Sequence, residues 1–577
     1  MMKIKFIYLL IGLLVLFSMI MVSCTTITSS TTTSTTSSEP VTSPSTAPPT
    51  TTVAQGNWWD TWGTPEYGGS ITIPITALNG TSLDNIVIPG VENCLWFESL
   101  FEPDPTVSTD KWPLTTGFVA DKYWSGNLAE SWEITDTQTI TVQLRKGVHW
   151  QDKSPVNGRE FTAYDVQKHY ERLLVAPFYS FLVTAWDEVT AIDTYTVVFK
   201  FKQPSSQYFQ AVADLNALNE MEAPEWAALP DAERQDWHNA VGTGPWIING
   251  FIDGSSFSFE NNPDYWKSDP RYPQNKLPYA DKLTLLVIPD TSTQVAALRT
   301  GKIDEALVTI QQYTSLTKSS PDLQSAGVSV NSHDIVFNMT QIPFKDIRVR
   351  TALQMSINRD TIAKNYYSGL TDGLPAGLWS QSMKGYAYAY ADWPQSLKDD
   401  YTYNPTGAKA LLKEAGFPNG FDTNIYASSA QDLNLLQIYK AFFADIGVNA
   451  DIQTMDSVSY DAFTRVNKYD QMAFVDLATS MSPTMGVGTF YSKQSPIGAV
   501  NDSTYDALYE QYFSNTDSSK TASIMVALDK QVIEQHWVVT SCGEFQFRIW
   551  QSYLKGYRGD YLGFGQGLIY ARLWIAK

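Results

Sequence analysis

Cysteine and histidine are scarce in this chain, and each scarcity narrows the chemistry open to it. Only Cys24, Cys94 and Cys542 occur in 577 residues, which excludes a disulfide-dense scaffold. The five histidines (His149, His169, His238, His333 and His536) are scattered. None shows the His-x-x-x-His or Cys-His spacing of a zinc site, so neither a metal nor a cofactor is expected. Basic residues are also short: 40 Lys and Arg face 60 Asp and Glu, a formal charge of -20. Such a surface repels phosphates and argues against nucleic acid as a partner. There is no GxSxG elbow and no phosphate loop. The acidic, aromatic composition, with 18 Trp, would suit a secreted glycoside hydrolase or another extracellular enzyme. No carboxylate pair stands at a recognisable motif, and the chain is read as a non-enzyme. Past the N-terminus no apolar run approaches the length of a membrane span.

What is present begins at that N-terminus. Lys3 and Lys5 precede an apolar run from Phe6 to Val22, followed by Ser23 and Cys24. A basic start, an apolar core and a small residue before the cut form the layout of an export signal, with an uncleaved signal anchor as the alternative. Met21-Val22-Ser23-Cys24 resembles a bacterial lipobox, with Met in place of the usual Leu. Residues 1–23 are thus expected to be a signal peptide and Cys24 a lipidated first residue. Residues 24–62 carry a stretch of Thr, Ser, Pro, Ala and Val that cannot bury enough apolar surface to offset its ordering entropy; they read as a flexible tether. About 520 residues follow, too many for one core, so two or more lobes are expected.

The most informative stretch runs from Leu128 to Leu173. Thr139 to Leu144 alternate polar and apolar, the pattern of a half-buried strand. Thr135-Asp136-Thr137-Gln138 before it is turn chemistry, so Trp132 to Leu144 reads as a hairpin. Thr162 then caps a helix with Asp165 at its third position, and Val166, Tyr170 and Leu173 form the buried stripe. As one string, LAESWEITDTQTITVQLRKGVHWQDKSPVNGREFTAYDVQKHYERL resembles the signature segment of the peptide/nickel-type (family 5) solute-binding proteins of ABC transporters. Further stretches resemble that family in order: Tyr67-Gly68-Gly69-Ser70, Trp96-Phe97-Glu98-Ser99-Leu100, Val241-Gly242-Thr243-Gly244-Pro245-Trp246, Asn262-Pro263-Asp264-Tyr265-Trp266, Pro343 to Arg350, Ile357-Asn358-Arg359-Asp360, and LLKEAGFPNGF after the cap Asn404-Pro405. The likeness covers roughly Gly68 to Tyr557.

The resemblance implies an α/β, two-lobed, periplasmic-binding-protein-like fold with a hinge and an inserted α/β subdomain in the first lobe. Carried over, lobe I takes 66–104, 230–335 and 530–577, the insertion 105–229 and lobe II 336–529, with crossings near 335 and 530. It also implies a monomer on the outer face of the cytoplasmic membrane that hands a small-molecule, sugar or peptide ligand to ABC permease subunits. Cys94 and Cys542 would both fall in lobe I, which raises the expectation that they come close together. The candidate ligand-binding residues are Trp96, Glu98, Trp246, Asn338, Trp379, Tyr386, Asp476 and Thr479. Peptide-binding relatives carry an Asp in a lobe II segment like GWxxDxxDP. Counting back from Pro483 puts Thr479 in that place, with Asp476 three residues early. An uncharged solute such as an oligosaccharide is therefore ranked ahead of a peptide, and a metal chelate third.

Overall fold

The structure is a computed structural model. It describes residues 56–577 apart from 78–82, 85, 87–94, 113–116, 177–185, 214–218, 331, 382, 465–466, 478–485, 495–496, 541, 543 and 561–565. Cys24, the tether up to residue 55, Cys94 and Thr479 lie outside the described residues. The first lobe opens with β1 (Ser70–Ile75) and then gives way to the inserted unit, made of β2 (Ala129–Asp136), β3 (Thr139–Leu144), α1 (Ala163–Leu173), β4 (Trp186–Ala191) and β5 (Thr196–Phe201). These four strands form one antiparallel sheet in the order β2-β3-β5-β4. Along β3, Ile140, Val142 and Leu144 are buried while Thr139, Thr141 and Gln143 are not, as the alternation requires. At the start of α1 the Thr162 backbone N–H donates to the Asp165 carboxylate at 2.8 Å. Val166, Tyr170 and Leu173 face inward.

The chain then returns to the first lobe with β6 (Trp246–Ile252), β7 (Ser256–Asn261) and β8 (Lys282–Val287), which join β1 in the order β1-β8-β7-β6. Next come β9 (Glu305–Val308) and β10 (Gln324–Val330), and then β11 (Ser332–Phe337), the first strand of the second lobe. That lobe continues with β12 (Phe421–Ser428), α2 (Leu433–Asp445), β13 (Val448–Met455), α3 (Ser457–Thr464), β14 (Met472–Leu477), α4 (Ser518–Glu534) and β15 (Val538–Val539). Its five-stranded sheet has the order β13-β12-β14-β11-β15, with β12 parallel to both β13 and β14. The chain leaves it for β16 (Glu544–Trp550), which lies between β9 and β10 in a three-stranded sheet. Sheet membership changes from Val330 to Ser332 and again from Val539 to Glu544. Cys542 is buried in the second lobe's core.

Both faces of the central strands are covered, which explains the apolar runs Ile335–Phe337 of β11 and Met472–Val475 of β14. Ile335, Phe337, Met472 and Phe474 enter one core cluster; Val336, Ala473, Val475 and Leu477 enter another with Leu528 and Val532 of α4. Two arginines of the family-like motifs bind the returning chain to this lobe. Arg350 Nε donates to the Gln535 carbonyl at 3.0 Å, and Arg359 Nε to that of Thr540 at 3.0 Å.

The first lobe is assembled from distant segments, and a buried charge network joins them. Lys267 Nζ reaches Glu102 Oε1 and Asn127 Oδ1, both at 2.5 Å, while Arg572 Nη2 donates to Glu102 Oε2 at 2.6 Å. Burial alone would raise the Glu102 carboxyl, but Arg572 and Lys267 together hold it below the ordinary carboxylate range. Packing is equally close at the Val241–Trp246 turn, where the Gly244 N–H donates to the Trp96 carbonyl at 2.9 Å.

A methyl group on Gly242 would stand 1.7 Å from the Trp96 carbonyl oxygen, whereas one on Gly254 would meet nothing within 4 Å. Gly242→Ala is expected to lower the unfolding free energy by about 3 kcal/mol or more in urea titrations. Gly254→Ala, strained only by its positive φ, should cost about 1 kcal/mol. Equal costs at the two positions would contradict this account of the turn.

Candidate functional site

In open α/β sheets, ligands meet the carboxyl ends of the parallel strands. In the second lobe these ends are Ser428, Met455 and Leu477, and the antiparallel neighbour β11 begins beside them. The side-chain alternation of β11 and β14 brings His333 directly opposite Asp476. His333 Nδ1 contacts Asp476 Oδ1, and Gln431 Nε2 donates to the same oxygen at 3.3 Å. Both hydrogen-bond contacts of the Asp476 side chain among the described residues fall on Oδ1. The two side chains are 17% and 33% exposed, so this pair reaches solvent at the end of the sheet.

The surrounding polar groups hold the pair in register. Gln431 Nε2 also donates to the Phe474 carbonyl at 2.9 Å, and its Oε1 accepts from the Ser428 N–H at 2.8 Å. Ser428 Oγ and Ser457 Oγ lie 2.9 Å apart. Tyr460 of α3 donates its hydroxyl to the Phe474 carbonyl, and Tyr439 of α2 donates to the His333 carbonyl at 3.3 Å. Asp432 caps α2 and accepts from the Tyr366 hydroxyl at 2.6 Å. No member of this cluster except Asp476 was singled out in the sequence. The partners are brought together by strand pairing across 143 residues, a separation that carries no local pattern.

The other candidates are placed differently. Trp96, Trp246 and Trp379 are fully buried. Trp96 packs against Phe97, Phe257 and Phe259, and Trp246 donates its indole N–H to the Gly567 carbonyl at 3.1 Å. Glu98 accepts from the Tyr265 hydroxyl at 2.6 Å and the Trp266 indole at 3.0 Å, and burial pushes its carboxyl up. Asn338 donates to the Tyr469 carbonyl at 2.8 Å and accepts from the Thr340 hydroxyl at 2.6 Å, which closes a local turn. Tyr386 is half-buried, and its ring meets Phe118 of the insertion edge-on with centroids 5.0 Å apart. The structure thus brings Tyr386 to the junction of insertion and second lobe and Asp476 to the strand ends. It places Trp96, Glu98 and Trp246 in the first lobe's interior.

Trp379 and Tyr386 share a loop that is fastened from below by a single carboxylate. Asp529 of α4 is fully buried; its Oδ1 accepts from the Leu378 N–H at 2.6 Å and the Trp379 N–H at 3.2 Å, its Oδ2 from the Tyr388 N–H at 2.7 Å. Gly377 permits this approach, since a methyl there would stand 2.3 Å from Asp529 Oδ1. Insertion and second lobe also touch through hydrogen bonds. The Ser206 N–H donates to the Asn515 carbonyl at 2.7 Å, and Gln207 Nε2 to Thr521 Oγ1 at 2.6 Å. Among the described residues no group of three or more His, Cys, Asp and Glu could hold a metal ion. None of their helices is long and apolar enough to cross a membrane.

Residues 124–496 match the family of bacterial extracellular solute-binding proteins, family 5. The glutathione-binding protein GsiB of Escherichia coli (strain K12) is 31% identical over 338 residues, covering 57% of this chain and 61% of that protein. The chain therefore aligns with less than two thirds of the length of the curated relatives it matches. Two solved structures share the fold. The ABC transporter-associated periplasmic binding protein DppA from Helicobacter pylori, in complex with the peptide STSA, has a TM-score of 0.70 at 22% identity, covering 89% of this chain and 99% of its own. The oligopeptide-binding protein AppA from Bacillus subtilis, in complex with a nonapeptide, has a TM-score of 0.67 at 19% identity, covering 89% and 100%.

Burial pushes the Asp529 carboxyl from its ordinary 3.8 up to about 7, against the three N–H groups that favour the charged form. A carboxyl raised in the folded state contributes stability that is fully present below its unfolded value and is lost as pH rises through its folded value. Over that window the loss is at most about 4 kcal/mol. Asp529→Asn, which cannot ionise, lacks this slope but presents an amide to the Tyr388 N–H. The variant is expected to be less stable than the parent at pH 5, and the gap should narrow by pH 8 in denaturant titrations. A constant gap would place the ionisation elsewhere.

Proposed function

The chain belongs to the bacterial extracellular solute-binding proteins of family 5, and from that membership we propose that it captures an oligopeptide-like solute between its lobes for an ABC importer. As a member of that family it is a transport component and not an enzyme, so the glycoside hydrolase alternative is set aside. One observation carries the ligand class. Asp476 stands at the carboxyl end of β14, a third exposed, and its contacts among the described residues, with His333 and Gln431, fall on one oxygen. A solvent-reaching carboxylate there suits a ligand ammonium through a charge-assisted hydrogen bond that a neutral sugar cannot match. The ranking of an uncharged solute first depended on Thr479 standing where a carboxylate was expected, and Asp476 supplies one at the strand end. The named ligands of the relatives, glutathione and peptides, support the same choice.

In this reading Asp476 receives the α-ammonium, the segment after β14 that includes Thr479 borders the ligand, and Tyr386 contributes apolar area from the loop held by Asp529. The part of the cleft wall formed by the insertion meets that loop at Phe118. Few strong contacts and a closing wall suit a receptor that must also release its cargo. Cys24, in its lipobox-like setting, would carry the lipid that keeps the receptor, as a monomer, on the outer face of the cytoplasmic membrane near its permease subunits.

Calorimetry on trialanine, glutathione, N-acetyl-trialanine and small oligosaccharides tests the ligand class. Free-amino peptides are expected to bind, with acetylation or Asp476→Asn weakening trialanine at least tenfold, about 1.4 kcal/mol. Oligosaccharide binding with silent peptides would reverse the assignment. For the anchor, Cys24→Ala is expected to release the protein from the membrane fraction, and undiminished retention would point to a signal anchor.

A further inference from the structure

The His333–Asp476 contact places an internal competitor for ligand charge at the ligand's anchoring carboxylate. A carboxylate only accepts hydrogen bonds, so His333 Nδ1 must carry a proton in the contact it makes with Asp476 Oδ1. Two states satisfy that requirement. As a neutral imidazole, His333 donates one N–H and leaves the pair with a net charge of minus one. As an imidazolium it makes the pair neutral. Both side chains reach solvent, at 17% and 33% exposure, so protons and ligand have access to the same place. The titratable groups on the elements packed around the pair are Asp432 at the cap of α2, Tyr439, Lys440 and Asp445 of α2, Tyr460 and Asp461 of α3, and Asp422 and Tyr426 of β12. Asp334, next along β11, interacts with Arg359. Imidazole is the side chain whose ordinary titration lies between pH 5 and 8.

We propose that His333 is a specificity-determining residue which, as an imidazolium, competes with a cationic ligand head group for Asp476, so that capture of such a ligand expels one proton. This inference rests on the assignment of Asp476 as the ammonium anchor. The step balances without a co-reactant: an ammonium-bearing ligand meets the imidazolium–carboxylate pair, the carboxylate exchanges one cation for the other, and the imidazole releases its proton to solvent. A ligand without a cationic head gains nothing from that exchange. Capture of cationic ligands is therefore favoured at neutral pH and release by acidification, while neutral solutes are indifferent to both. His333→Asn keeps a neutral N–H donor for Asp476 and removes the competing charge.

The test is calorimetry of trialanine binding at pH 6 and pH 7, repeated in buffers of different ionisation enthalpy to count protons released. The peptide ammonium, with an ordinary pKa of about 7.7–8.0, stays mostly charged in that range. The parent protein is expected to release a proton on binding at pH 6, and His333→Asn to release none. The variant should also bind trialanine about five- to tenfold more tightly than the parent at pH 6, with a smaller gap at pH 7. A gain of affinity separates this role from a structural one, because damage to the site would weaken binding at both pH values. Trialanine binding without proton release, or equally tight in parent and variant at pH 6, overturns this inference and leaves the peptide assignment standing. Failure of trialanine, glutathione and other short peptides to bind at either pH overturns the assignment of Asp476 and this inference with it.

Discussion

The first lobe depends on Glu102 being bracketed by two cations from distant parts of the chain. Lys267 arrives from the middle of the sequence and Arg572 from its last residues, and both end within 2.6 Å of the same carboxylate. None of the three can be left alone in that interior, since removing one partner of a buried pair exposes the others to an uncompensated charge, at a cost of about 3–5 kcal/mol. The segments around residues 102, 127, 267 and 572 must therefore be present together, and the lobe gains a reason to be assembled from a broken chain. Glu98 joins the same network through Asn127, whose Nδ2 donates to Glu98 Oε1 at 3.3 Å while its Oδ1 accepts from Lys267.

The second lobe is organised on a different principle. Its sheet is covered on both faces of the central strands, and several of its buried polar groups hold passing backbone in place. Arg350 and Arg359 hold the returning chain by its carbonyls, while Asp529 holds the 377–388 loop by its N–H groups. In each case one buried ionisable side chain fixes backbone atoms of a passing segment. The aromatic loop facing the insertion is thereby fastened to helix α4 as well as by its own internal hydrogen bonds.

Much of the fold was legible in local patterns because those patterns answer local physics. The alternation of Thr139 to Leu144, the Thr162–Asp165 start of α1 and the Asn404 cap, whose Oδ1 accepts from the Gly407 N–H at 2.9 Å, each need only a few neighbouring residues. The site was legible only in part. Trp96 and Trp246 sit in recognisable motifs because the core constrains them, and a buried tryptophan and a cleft tryptophan look alike in one dimension. Glu98 reads as a ligand group until Tyr265, Trp266 and Lys267 are seen around it. Asp476 was visible as a carboxylate near the expected place, but its partner His333 becomes apparent only when two strands are paired in register.

The bridging contacts between insertion and second lobe have a thermodynamic consequence of their own. Ser206 with Asn515, Gln207 with Thr521 and Phe118 with Tyr386 form between protein groups alone. Whatever free energy they contribute to holding the insertion against the second lobe requires no bound molecule as a partner. Under the proposed function that contribution is common to every solute, and selectivity then falls to the groups near Asp476, which can change without rebuilding these contacts.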